Sequence, residues 1–355
     1  MFDITKIDSN FKVETNIAES DIRFFDVRQE PFRVYGLLYE DGQFRRLPKS
    51  VAKTVSEGVY ALHTNTAGGR VRFKTDSRYV ALNMKFSSIG RMGHFALTGS
   101  AGLDIYVRND NGKEMFVNSF RPPLDIQDSY EGIIYFDEPK LREITINFPL
   151  YSSVSEMYIG LQEAATVCAL DDYTIEKPIV FYGSSITQGA CASRPGNAYE
   201  SIVSRRLDCN YINLGFSGNA KGEDAIAEYI SNLDMSVFVY DYDYNAPNVE
   251  HLKSTHKKMF DTIRAKHPQL PIILLSRPKF SPTDEERQRL GVIKQTYETA
   301  KANGDTNVYF LDGKALMALC GNDGTVDGVH PNDWGFASMA KAVGDLLETD
   351  ILPNL

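Results

Sequence analysis

The chain has 355 residues, room for two domains at a prior of roughly 100–200 residues each. Hydrophobic residues make up 43% and charged residues 24%, which excludes wholesale disorder, and 20 Phe and 19 Tyr supply core volume and aromatic surface. A net charge of −9 repels phosphate backbones and anionic lipid, so nucleic acid and membrane surfaces are set aside as partners.

No apolar run approaches the ~18–20 residues a membrane helix needs. Met1–Asn10 reads MFDITKIDSN, with three charged residues and no apolar core. That is not a signal peptide, and a cytoplasmic location is the expectation. The four cysteines (Cys168, Cys191, Cys209, Cys320) are widely spaced and form no CxxC pair, so they read as free thiols rather than a disulfide frame or zinc site.

From about Val71 to Leu161 short segments alternate with period two. In Tyr79–Phe86, Val80, Leu82, Met84 and Phe86 share one face, and Ile144, Ile146 and Phe148 repeat the pattern. Asp110–Gly112 and Arg121–Pro123 punctuate these segments as turns do, which predicts an antiparallel sandwich. After Asp171-Asp172 the texture changes. Apolar runs at Ile179–Tyr182, Tyr211–Leu214, Val237–Tyr240, Ile272–Leu275 and Val308–Leu311 alternate with helix-period segments. Those segments are Ala198–Leu207, Glu223–Leu233, Val249–Lys266, Asp284–Asn303 and Trp334–Leu347. Such alternation means βαβ units and a parallel sheet covered on both faces. The linker falls near residues 165–177. The expected division is therefore an all-β sandwich over 1–170 and a doubly wound α/β half over 171–355.

Open α/β sheets carry their active sites beyond the carboxyl ends of the strands, so each strand-to-helix turn is a place to look. The first is Gly183-Ser184-Ser185-Ile186-Thr187-Gln188-Gly189. It lacks the lysine of a phosphate loop, the GxGxxG of a dinucleotide site and the second glycine of a GxSxG elbow. What remains is a serine near a helix N-terminus, either a nucleophile or a cap. A nucleophilic serine needs a base. His251, His256 and His267 fall on a polar helix or its end and read as solvated. His63 and His94 lie in the β half and read as surface or satisfied core. His330 differs, because Asp327 stands three positions before it, near enough to accept one ring N–H and leave the other nitrogen free. Ordinary capping and loop roles are the alternative for that pair. Two further turns, Asn213–Asn219 and Asp241–Asn245, offer a glycine (Gly218) and a side-chain amide (Asn245) as donors beside the Ser185 N–H. A turn glycine and an Asx-turn asparagine are the plain alternatives.

Taken together these turns resemble the sequence blocks of the SGNH (GDSL-type) hydrolases, serine esterases with a flavodoxin-like three-layer α/β/α fold. Gly183–Thr187, Asn213–Asn219, the segment ending at Asn245, and Asp327-Gly328-Val329-His330-Pro331 occur in the family's order. Gly183–Gly189, Cys191–Gly196 and Asn213–Asn219 resemble one subgroup, which joins an N-terminal β-sandwich (jelly-roll-like) domain to the hydrolase domain. Gly99–Tyr106 and Pro149–Tyr151 are similar to that N-terminal part, so the resemblance spans roughly 20–350. Two positions depart from the pattern. Ser184 replaces the usual Asp of GDSL, and the third block has Asp243 and Ala246 in place of a Gly and an Asp.

The resemblance implies Ser185 as nucleophile, His330 as base and Asp327 as its orienting acid. It implies an oxyanion hole from the N–H groups of Ser185 and Gly218 and the amide of Asn245, with Asn248 as substitute for the last. Arg194 and Asp243 are candidate substrate contacts. Neither metal nor organic cofactor is required. The expected function is hydrolysis of short-chain acyl esters through an acyl-serine, with carbohydrate esters as the preferred substrate class. An acyltransferase with the same triad and a catalytically inert binding protein are the alternatives.

Overall fold

The computed structural model describes residues 13–355, so the expectation drawn from Met1–Asn10 falls outside the described residues. One antiparallel sheet runs in the order Ile22–Asp26, Ser153–Gln162, Tyr79–Ser88, Ser129–Tyr135. A second runs Val167–Cys168, Arg70–Thr75, Arg142–Asn147, Leu103–Arg108, Glu114–Phe120, with Arg33–Tyr35 also paired to Arg70–Thr75. Alternation along each strand decides what lies between them. Val80, Leu82 and Met84 from the first sheet meet Val71, Phe73, Ile105 and Ile146 from the second, all without solvent contact, in one apolar cluster. That is a sandwich.

The C-terminal half is a five-stranded parallel sheet in the order Cys209–Gly215, Ile175–Gly183, Val237–Asp241, Ile272–Leu275, Val308–Leu311. The second strand thus lies outside the first, which is the flavodoxin-like 2-1-3-4-5 order. Side chains alternate between two helix layers. Phe181 and Val239 join Tyr199, Val203, Phe336, Met339 and Val343 on one face. Val180, Tyr182 and Phe238 join Ile226, Leu252, Met259 and Ile293 on the other. The helices are Tyr199–Leu207, Asp224–Ser231, Val249–Lys266, Asp284–Ala302 and Asp333–Leu346. Their ends are specified locally. Asn248 caps Val249–Lys266, a Thr283/Glu286 capping box opens Asp284–Ala302, and Asn332 caps Asp333–Leu346. No described helix is long and apolar enough to cross a membrane.

Two differences from the sequence reading stand out. The N-terminal half is not purely β, for short helices Lys49–Val55 and Glu57–Leu62 connect its strands. Leu47, Ala52 and Val59 from this stretch complete one apolar cluster of the α/β half, and Ala67, Phe95, Leu150 and Tyr151 complete the other. His256 is buried rather than solvated. Its ring stacks on Tyr240 at 4.7 Å, its Nδ1 lies 2.9 Å from Thr296 Oγ1, and burial pushes its pKa down to about 3. The polar helix around it carries a buried stripe of Leu252, His256, Met259, Phe260 and Ile263, wider than its few apolar letters suggested.

Candidate active site

Pairing across the parallel sheet puts Gly183 level with Gly215 on one side and Asp241 on the other. The three turns that follow these residues therefore leave from one rim, at the point where strand order reverses. Two adjacent serines divide the roles proposed for this turn. Ser184 is the cap, its Oγ accepting the Ile186 N–H at 3.2 Å, while its own N–H donates to the Asp241 carbonyl. Ser185 begins the short helix Ser185–Gln188 and is 6% exposed, so its hydroxyl is free of the capping duty.

The far end of the chain returns to this turn. A bridge between Thr325 and Pro331, with the Val326 N–H donating to the His330 carbonyl at 2.8 Å, closes the loop that carries Asp327 and His330. Asp327 Oδ1 accepts the N–H groups of Val329 (3.0 Å) and His330 (2.8 Å), and Oδ2 lies 2.8 Å from His330 Nδ1. Partial burial works against ionisation of Asp327, but these hydrogen bonds outweigh it and pull its pKa down to about 2. A charged Asp327 holds the proton on Nδ1. Nε2 is then an acceptor, and it stands 3.0 Å from Ser185 Oγ. Ser185, His330 and Asp327 are thus brought into one hydrogen-bonded chain across 145 residues of sequence.

The candidate donor groups lie in turns that leave this same rim. Neither the Ser185 N–H nor the Gly218 N–H has a protein acceptor among the described residues. Gly218 has φ +70°, a conformation that a side chain would strain. Asn245 lies in the turn Asp243–Asn245, where its Oδ1 accepts the Ala220 N–H at 3.2 Å; its amide N–H2 has no protein acceptor among the described residues. The substitute is otherwise engaged. Asn248 Oδ1 caps the helix Val249–Lys266 through the His251 N–H.

Both candidate substrate contacts go elsewhere. Asp243 is buried and paired with Arg277 (3.0 Å) and Arg289 (3.5 Å), which fixes the turn that carries Asn245. Arg194 pairs with buried Asp104 at 3.0 Å, bonds the Tyr106 hydroxyl and lies 3.8 Å over the Phe116 ring. Its charge is spent in joining the two halves. A strand-end motif cannot show such long-range partners, which is why the sequence left both residues as candidates.

The N-terminal half reaches the site directly. Tyr151 donates its hydroxyl to the Ser185 carbonyl (3.2 Å). Gln188 Nε2 donates to Asn65 Oδ1 and to the Leu150 carbonyl, while its Oε1 accepts the Ser217 N–H beside Gly218. Arg46 is buried with no carboxylate partner, and burial lowers its pKa to about 9. Its guanidinium donates to the carbonyls of Leu62, Asn65 and Gly215 and to Asn213 Oδ1. His94, read from sequence as surface or core, is exposed and lies 5.4 Å from His330, centroid to centroid. No spacing in the sequence points to Gln188, Arg46 or His94.

A family model described as "GDSL-like Lipase/Acylhydrolase family" matches residues 176–348. A second, "N-terminus of Esterase_SGNH_hydro-type", matches residues 22–167. No curated protein sequence matches the chain. Among solved structures, the chain is similar to a GDSL-like lipase from Bacteroides ovatus at 28% identity and TM-score 0.83, covering 94% of this chain and 98% of that one. It has the fold of a salicylyl-acyltransferase from a tetracycline biosynthetic pathway, at 20% identity and TM-score 0.75, with 95% and 99% covered. It has the fold also of an acetyl xylan esterase from Butyrivibrio proteoclasticus, at 12% identity and TM-score 0.58, with 95% and 100% covered. The hydrolase half, residues 176–348, belongs to the GDSL-like lipase/acylhydrolase family, and the half before it, residues 22–167, is an SGNH-type esterase N-terminal unit.

Proposed function

We propose that the protein is a serine esterase that cleaves short-chain acyl esters through an acyl-serine intermediate. The hydrogen-bonded chain Ser185–His330–Asp327 carries this reading. Ser185 Oγ attacks the ester carbonyl as its proton passes to His330 Nε2. Asp327, ionised to about pH 2, stabilises the resulting imidazolium. The carbonyl oxygen becomes an oxyanion held by the N–H groups of Ser185 and Gly218 and the amide of Asn245. His330 then gives its proton to the departing alcohol, leaving the acyl group on Ser185. Water, activated by the same imidazole, releases the acid and restores the serine.

Carbohydrate esters are the substrate class we favour. The acetyl xylan esterase with this fold also matches the chain over both halves, and a family two carbohydrate esterase from Clostridium thermocellum does so over 80% of it. Transfer to an alcohol is the second reading, favoured by the fold shared with the salicylyl-acyltransferase. A binding-only role is the weaker reading, because the three side chains keep hydrogen-bond contact despite the altered third block.

The test is turnover of a small aryl acetate, with and without added sugar alcohols. Ser185→Ala is expected to lose hydrolysis to the limit of detection while remaining folded. Near-normal turnover by that variant would remove Ser185 from the mechanism. Acylated sugar among the products would move the assignment from hydrolase to transferase.

A further inference from the structure

Two side chains at this rim, His94 and Cys191, have no part in the proposed ester cleavage, and they stand beside His330, which does. His94, Cys191 and His330 each offer a ligand atom, and these atoms all lie within 4.8 Å of one another. They come from distant places: a loop of the β half, the turn after the nucleophile helix, and the loop before the last helix. The His94 ring nitrogens and the Cys191 thiol have no hydrogen-bond partner among the described residues, and Cys191 is in no disulfide. Cys191 is also held at φ +95°, where glycine is the ordinary occupant. A side chain kept in that conformation needs a reason, and such outliers gather at functional sites.

We infer that His94, Cys191 and His330 form a site for a thiophilic divalent cation, Zn2+ above all, that sits where it takes the imidazole away from Ser185. Two imidazoles and one thiolate suit that ion, with water or the Ser185 hydroxyl as the fourth donor. Separations of 4.8 Å or less need modest closure to reach the spacing of ligands around one ion, and His94 lies on an exposed loop. The outer shell is in place already. Asp327 accepts from Nδ1 of His330 at 2.8 Å, the carboxylate–histidine arrangement that aims the other ring nitrogen at a metal. Binding is a proton-for-metal exchange: the Cys191 sulfur–hydrogen bond breaks, the proton goes to solvent, and the sulfur–metal bond forms, with no change of oxidation state.

Blocking of catalysis follows from the reading of His330 as base under Proposed function, whereas the metal site does not depend on it. The experiment therefore separates them. Metal-free full-length protein is titrated with Co2+ and with Zn2+, by absorbance and by calorimetry. The expected result is one ion per chain and a thiolate-to-cobalt charge-transfer band. Cys191→Ser should abolish the band and weaken Zn2+ binding by more than the ~10–100-fold that loss of an outer-shell partner costs. Cys191→Gly, which suits the left-handed backbone, gives the same reading should the serine variant not fold. His94→Ala should weaken binding while retaining the band. Absence of stoichiometric binding, or wild-type affinity in both Cys191 variants, overturns the site. If the band forms and aryl acetate turnover also falls, recovering on chelation, both inferences are supported. If the band forms and turnover is unchanged, the site stands and His330 loses its role as base.

Discussion

At the scale of single residues, the site depends on which groups are left without partners. Asn245 spends its carbonyl on Ala220 and keeps its amide free, so Asn245→Ala should slow aryl acetate turnover by about 10²–10³-fold with little change in unfolding midpoint. A rate within a few-fold of wild type would move the donor role elsewhere. Beneath the Ser185 turn, both oxygens of Asp241, both of Glu200, and the hydroxyls of Thr187 and Tyr199 are buried without hydrogen-bond partners among the described residues. Burial and the neighbouring Asp243 push Asp241 up to about 8, so its carboxyl stays protonated in the fold at neutral pH. An unfolded Asp ionises near pH 4, so stability is full below that value and drains away as pH rises towards 8. Asp241→Asn should reduce this dependence and leave the part due to Glu200, which burial also pushes well above the usual carboxylate range. Urea midpoints near pH 5 and near pH 8 would show it, against a wild-type loss with a ceiling of about 4 kcal/mol from this group. An equal slope in the variant would mean that Asp241 is ionised in the fold.

At the scale of elements, what the sequence revealed and what it hid differ by range. The five apolar runs from Ile179 to Leu311 all became parallel strands, because a strand buried on both faces advertises itself by composition. The helix Val249–Lys266 fell within its expected bounds, since its Asn248 cap and charged ends are local signals. That Ser185, Asp327 and His330 come together could be expected from sequence only through the family resemblance of their turns taken in order, since each turn alone left a capping or loop role open. Arg46 was not legible. It lies 167 residues from Asn213, yet it clamps the turn that leads to Gly218. Arg46→Met would leave four acceptors short of a donor, and since each buried group left unsatisfied costs ~1–3 kcal/mol, a clear loss in unfolding free energy is expected. Turnover per folded molecule should fall as well, since the Gly215–Gly218 turn loses its brace. A variant as stable and as active as wild type would show that the clamp is dispensable. The helices Lys49–Leu62 escaped notice for a related reason: they are short, and their apolar residues face a half of the protein that begins over 100 residues later.

Across the whole molecule, the change of texture near residue 170 marks a change of topology, and we propose that it is not a boundary of independent folding. Leu47, Ala52, Val59, Ala67, Phe95, Leu150 and Tyr151 all cover apolar clusters of the α/β half, and Gln188 ties the Ser185 turn to Asn65 and Leu150. Residues 171–355 produced alone should therefore aggregate or unfold and show no turnover; a monomeric, active fragment would contradict this. The sequence divided the chain by strand pattern, and pattern is blind to which faces two halves share. The proposed chemistry rests on one event, attack by the Ser185 oxygen on an acyl carbon. Its most direct measurement is incubation with a fluorophosphonate, which traps an activated serine, followed by intact mass and peptide mapping. The account predicts one adduct per chain, on Ser185, lost in Ser185→Ala and slowed in His330→Ala. No adduct at high reagent concentration, or an adduct on another residue, would contradict it.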